Sequence, residues 1–153
     1  MRETRAEDIA VRVWFRLIRL EARLGAAVSE RLREIGLSVP QCDVLTTLTE
    51  AEGVSQQTLA ERLYVTKGNI SGLLDRLESA KLVERRSTAT DRRQYEIYLT
   101  AEGRTRAERA IAIQHDLIDA TIGRMDRSDL GIFECMLVTL RDIVREREVT
   151  EAA

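Results

Sequence analysis

"SQQTLAERLYVTKGNISGLLDRLESAKLVERR", residues 55–86, changes its apolar period once, and that change decides the fold. Up to Ala80 the apolar side chains fall at helical spacing: Leu59, Ala60 and Leu63, then Ile70, Leu73, Leu74 and Leu77. After Lys81 they alternate as in a strand. Ser55 is placed to cap the first helix, because its hydroxyl can accept from a free N–H of the opening turn. The connection "YVT" is brief, and a second helix runs from about Thr66 to Ala80. Two short helices joined in this way, the second amphipathic and opened by small polar residues, form the pattern of a helix-turn-helix. "LVERR" and "QYEIYLT" read as two strands around a loop at residues 87–94, which makes the unit a winged helix.

The outer face of the second helix carries Gly68, Asn69, Ser71, Gly72, Asp75 and Arg76. Two exposed glycines in a helix cost about 1 kcal/mol each relative to alanine. Close approach to a DNA backbone or to base edges offsets that cost; tolerated sequence drift is the alternative.

Upstream, Ile9, Val13, Leu17, Leu20, Leu24, Val28 and Leu32 recur every three or four residues, so one long helix is expected from Ala6 to about Ile35, stopped by Gly36. Trp14, Phe15 and Ile18 widen its apolar face. Ser38 begins the next helix, with Gln41 as its reciprocal capping partner, Pro40 tolerated in the first turn, and Val44, Leu45 and Leu48 pointing inward. Downstream, Thr100 can cap a helix reaching about Met125, with Ala107, Ala110, Ile111, Gln114, Leu117, Ile118 and Ile122 as its packed side. A last helix from Ser128 or Asp129 has the stripe Ile132, Phe133, Met136, Leu137, Leu140, Ile143 and Val144. The terminal helices carry more apolar surface than the small winged helix covers, so a second copy is the simplest partner. The expected fold class is mainly α with a small β-hairpin wing: one domain over 1–153, a winged helix-turn-helix core at 38–100, and dimerisation helices at 6–36 and 101–148.

With 153 residues and a formal net charge of -2, the chain is acidic on average, yet residues 62–93 hold eight Lys and Arg against four Asp and Glu. A local basic region inside an acidic protein suits a confined polyanion contact, since phosphates respond to the nearby field more than to the total; a solvated face is the bland alternative. No apolar run approaches the roughly 18 residues of a membrane span, and the charged start lacks a signal-peptide stretch, so a cytoplasmic location is expected. Cys42 and Cys135 lack metal-ligand spacing and read as buried small hydrophobes. His115, the single histidine, reads as a helix-surface or dimer-interface residue. No zinc pattern, phosphate loop or nucleophile beside a base is present, so neither a cofactor nor an enzyme is expected.

The arrangement of "PQCDVLTTL", the opening stretch, the wing "TATDRRQYEIYLTAEG" and two C-terminal helices resembles the MarR family of bacterial winged-helix transcription regulators, over nearly the whole chain. The resemblance implies a homodimer on an inverted repeat of double-stranded DNA, in most members a repressor. One recognition helix per subunit would enter a major groove, and one wing would reach the adjacent minor groove. It further implies that Arg93 enters the minor groove, that Asp91 holds the wing arginine in place, and that Arg92 meets phosphate. A narrow minor groove concentrates negative potential, which suits a planar guanidinium. On the recognition helix, Thr66, Lys67, Asn69 and Ser71 are the candidates near bases and phosphate, with Arg76 for the backbone. Asn69 has the chemistry of an adenine reader.

Family members commonly release DNA when a small, often aromatic or phenolic, compound binds. Trp14, Asp43 and Arg85 occupy positions comparable to those that matter in the urate-responsive branch, although Leu73 stands where that branch has a further arginine. Trp14 either lines such a cavity or fills the core. The cysteine that the peroxide-sensing branch carries near the start of its first helix has no counterpart. Cys42 is the better redox candidate, because a helix N-terminus can lower a thiol pKa; an inert buried thiol is the alternative. The competing function is a winged-helix protein-interaction module without specific DNA binding, which salt-insensitive binding would favour.

Overall fold

The computed structural model describes the backbone of residues 3–87 and 95–151, and the side chains of 8–87, 95–147 and 150. The described residues fall into two compact units, divided between Gln114 and His115.

In the first unit, α1 spans Glu3–Glu34, beginning three residues before the sequence pattern suggested. Gly36 closes it at φ +71, a left-handed conformation that glycine adopts without a Cβ penalty. The Leu37 N–H then donates to the Leu32 carbonyl at 3.0 Å. Only the end of the apolar stripe is packed: Leu32 is fully buried, whereas Ile9, Val13, Trp14, Phe15, Ile18 and Leu20 are exposed.

α2 (Val39–Glu50) opens with the expected capping box. The Ser38 N–H donates to Gln41 Oε1 at 2.9 Å, and the Gln41 N–H to Ser38 Oγ at 3.4 Å. Val44, Leu45 and Leu48 are buried. β1, a two-residue strand at Val54–Ser55, was not expected; it pairs with a later strand through Val54 opposite Ile97, giving a three-stranded antiparallel sheet rather than a lone hairpin. Two residues show no periodicity, and the segment reads as a loop. Its structural signature is Gly53, at φ +72, where a Cβ would lie 2.8 Å from the Tyr98 hydroxyl.

Ser55 caps α3 (Gln56–Arg62), accepting from the Thr58 N–H at 3.0 Å. Leu59 and Ala60 are buried, while Leu63 is only half-buried because the helix has ended. Thr66 caps α4 (Lys67–Ser79), whose Ile70, Leu73, Leu74 and Leu77 all point into the core. Lys81 turns the chain at φ +59 into β2 (Val83–Ser87), which pairs with β3 (Tyr95–Leu99). The register sets Val83 opposite Leu99, Arg85 opposite Ile97 and Ser87 opposite Tyr95.

α5 (Ala101–Ala120) is capped by Thr100, whose Oγ1 accepts from the Gly103 N–H at 2.9 Å and donates to the Lys81 carbonyl at 2.7 Å. Gly103 packs directly on the backbone: a Cβ there would sit 1.8 Å from the Leu82 oxygen. The buried face is Ala107, Ala110 and Ile113. Ile118 and Ile122, expected to pack, are exposed, and the helix ends at Ala120, before a 3-10 turn at Ile122–Arg124. In the second unit, α6 (Arg127–Glu151) begins a residue earlier than expected. Its stripe is uncovered among the described residues, with Ile132, Met136, Leu137, Leu140, Ile143 and Val144 exposed.

Candidate nucleic-acid interface

The leucine side of α4 is held by the core, and that anchoring presents the opposite side outward. Thr66 Oγ1 accepts from the Asn69 N–H at 3.3 Å, so its hydroxyl serves the helix start. Lys67, Gly68, Asn69 and Arg76 are exposed, and Ser71 and Gly72 half-exposed. A Cβ on Gly68 or Gly72 would meet nothing within 4 Å. No packing among the described residues therefore requires glycine there. The two glycines, Asn69, Arg76, Pro40 and Val65 line an open groove of about 370 Å³ on this face.

Tyr64, in the turn between α3 and α4, was missed in the sequence. It is 82% exposed and adopts φ +53, a conformation that is unfavourable for a residue with a Cβ. The signal was available: the residue just past a helix end is commonly glycine. Tyr64 and Lys67 border a second open groove with Gln57, Ala60 and Glu61.

The hairpin adds charge beside α4. Alternation along β2 sends Val83 and Arg85 inward and Glu84 and Arg86 outward. Arg86 pairs with Glu84 and lies over the Tyr98 ring, 4.1 Å from its centroid. The Tyr98 hydroxyl in turn donates to Glu96 at 2.9 Å. Arg85 reaches α4, where Nη2 donates to Asp75 Oδ1 at 2.6 Å and Nη1 pairs with Glu78. Burial works against the Arg85 cation, but the hydrogen bonds and charges of Asp75 and Glu78 outweigh it and raise its pKa. Asp91, Arg92 and Arg93 lie outside the described residues. Glu52, also missed, ties α5 to the sheet by accepting from the Leu99 N–H at 3.0 Å and from Arg104 at 2.9 Å.

Among the described residues, no hydrogen bond or ion pair joins the three effector candidates. Trp14 on α1 is 60% exposed rather than a core residue of its own chain. Asp43 on α2 is half-buried, and burial raises its carboxyl pKa. Arg85 is committed to the two acids of α4.

Cys42 is fully buried, and burial, followed by the charge of Asp43, pushes its thiol up to about 11. Of the two readings of Cys42, the inert buried thiol is the one this environment favours, because desolvation of a thiolate outweighs the pull of the helix N-terminus. Gln114 Nε2 lies 3.7 Å from the sulfur. Cys135, expected to be buried, is exposed because the apolar side of α6 is open. His115 is exposed. Among the described residues no group of three His, Cys, Asp or Glu side chains is placed to hold a metal ion, and no helix is long and apolar enough to cross a membrane.

The sequence profile of the MarR family matches residues 35–94. The chain is 34% identical over 110 residues to an uncharacterized HTH-type transcriptional regulator of Bacillus cereus, covering 72% of this chain and 73% of that one. In fold it is similar to the crystal structure of a MarR family transcription regulator, with TM-score 0.85, 20% identity, and coverage of 94% and 95% of the two chains. It is also similar to CouR from Rhodococcus jostii bound to p-coumaroyl-CoA, with TM-score 0.73, 29% identity, and coverage of 84% and 90%. CouR has likewise been solved on a 23-mer DNA duplex.

Proposed function

The chain belongs to the MarR family, and from that membership we propose how this DNA-binding transcriptional regulator reads its operator. It binds an inverted repeat as a homodimer, with α4 of each copy in a major groove and the wing, residues 87–94, at the adjacent minor groove. Residues 38–100 form the DNA-binding core, and 6–36 and 101–148 the dimerisation helices. The observation that carries this reading is the outward face of α4, where two glycines with open space beside them lie among Lys67, Asn69 and Arg76. A phosphate or base edge can approach such a backbone more closely than it could approach an alanine helix.

Thr66, Lys67, Asn69 and Ser71 lie near bases and phosphate, and Arg76 lies on the backbone. Arg93 enters the minor groove, held by Asp91, while Arg92 meets phosphate. The protein acts in the cytoplasm, where DNA is reached, and regulates without catalysing a reaction. A small aromatic or phenolic ligand releases it, a class in keeping with the phenolic thioester held by CouR. Such a ligand acts only by binding the non-DNA-compatible arrangement more tightly than the compatible one. Trp14 and Asp43 are the side chains offered to it. Arg85 joins them only by giving up Asp75 and Glu78, which argues against a urate-type site.

The test is selection of bound sequences from a random duplex pool, followed by salt titration of the retained DNA. An enriched inverted repeat with half-sites about one helical turn apart, and affinity that falls steeply with salt, is expected. Recovery of no common sequence, or binding indifferent to salt, would overturn the reading in favour of a protein-docking role.

A further inference from the structure

We propose that Arg85 is a positioning residue that couples the wing to the recognition helix, holding β2 against α4 through Asp75 and Glu78 so that both DNA-reading elements keep one register. The inference rests on the DNA-binding reading above. Arg85 occupies an inward position of its strand, in line with buried Val83 and directly opposite buried Ile97. An aliphatic side chain would satisfy that position by packing alone. A guanidinium there must instead find anions, because a partly buried cation without partners is costly. It finds two, three residues apart on α4, and its side chain is only 18% exposed. The planar fork gives each carboxylate its own nitrogen, which an ammonium, as a point charge, cannot do in the same geometry.

Two consequences follow for DNA. β2 is the strand that precedes the wing loop in sequence, and Arg85 ties the direction of that strand to the axis of α4. Asp75 and Glu78 also sit on the helix that meets phosphate, and a cation shared between them reduces the repulsion they would exert.

A double-mutant cycle on the full chain, with the operator recovered by selection, separates coupling from simple stabilisation. The affinity lost on Arg93→Ala is measured in the wild type and again in an Asp75→Asn/Glu78→Gln background. Both acids are more than 40% exposed, at 63% and 42%, so the neutral background should fold, as thermal unfolding would verify. Removing two acids tightens DNA binding with or without Arg93, and that effect cancels in the cycle. Coupling predicts that Arg93→Ala loses on the order of tenfold in the wild type but less than about twofold once β2 is unpinned. Equal losses in both backgrounds would overturn the proposal. If Arg93→Ala loses nothing in the wild type, the wing reading itself fails and coupling falls with it. Should the neutral pair unfold the protein, Arg85→Lys supplies the same comparison: it keeps the charge but not the fork, and full retention of the Arg93 dependence would contradict the proposal.

Discussion

Two of the helix faces left open among the described residues have opposite chemistry. The outward side of α4 offers glycine, amide, hydroxyl and cationic groups, whereas α6 exposes Ile132 at 56%, Met136 at 62% and Ile143 at 58%. Each such apolar side chain gains about 1.5–3 kcal/mol when fully buried, so α6 suits a cover of like chemistry, which the proposed homodimer would supply. The α4 face gains little from apolar cover and much from phosphate. The same helical period therefore serves two purposes, distinguished by what occupies the outward positions.

The largest expected effect comes from making α6 resemble α4. Ile132→Glu with Met136→Glu places two carboxylates where the account puts a dry interface, at several kcal/mol per buried charge. Sedimentation should show monomer in place of dimer, and operator affinity should collapse with it. A variant that stays dimeric would remove α6 from the interface.

On the α4 side, Lys67→Ala should weaken binding to operator and unrelated DNA by similar factors and reduce the salt slope by about one. Asn69→Ala should instead reduce discrimination, by about 1–3 kcal/mol at one base pair. Swapped outcomes would exchange the two roles.

Glycine substitutions sharpen the contrast further. Gly68→Ala and Gly72→Ala enter open space and should each stabilise the fold by about 1 kcal/mol in thermal unfolding while weakening operator binding. Gly103→Ala meets the Leu82 carbonyl and should destabilise by at least about 2 kcal/mol. If the α4 alanines bind DNA as well as wild type, close approach is not what those glycines provide.

The cysteines give the smallest and most local effect. At about pH 8 an alkylating reagent should modify exposed Cys135 and spare Cys42. Cys135 labelling should slow as protein concentration rises through dimer formation. Because the folded thiol of Cys42 ionises near 11 against an ordinary 9.0, the unfolded chain loses that proton first. Stability should therefore fall as pH rises through that window. Cys42→Ala should lessen the decline, leaving the share of Tyr98, whose hydrogen bond to Glu96 also raises its pKa.

Much of the reading unit was legible because its signals are local. The Ser38–Gln41 box, the Ser55 cap and the four inward residues of α4 each lie within a turn or two of their partners. The end of α5 was not legible, since Ile118 and Ile122 continue the apolar period past the point where their own chain packs them. β1 carried too few residues to show a period. The pairing of Arg85 with Asp75 and Glu78 depends on which side of β2 faces α4, a fact set by the register with β3 rather than by any neighbour in sequence. Neither its inward parity with Val83 nor the identity of the acids it meets was read from the sequence.

The most direct test of the account inserts about five base pairs, half a helical turn, between the selected half-sites. If α6 joins two copies and each α4 reads one half-site, the insertion turns the second half-site to the far side of the duplex. Binding of two chains as a unit should then be lost, leaving weak half-site affinity. Unchanged affinity with two chains bound would mean that the copies read DNA independently, and would contradict the pairing of the two faces.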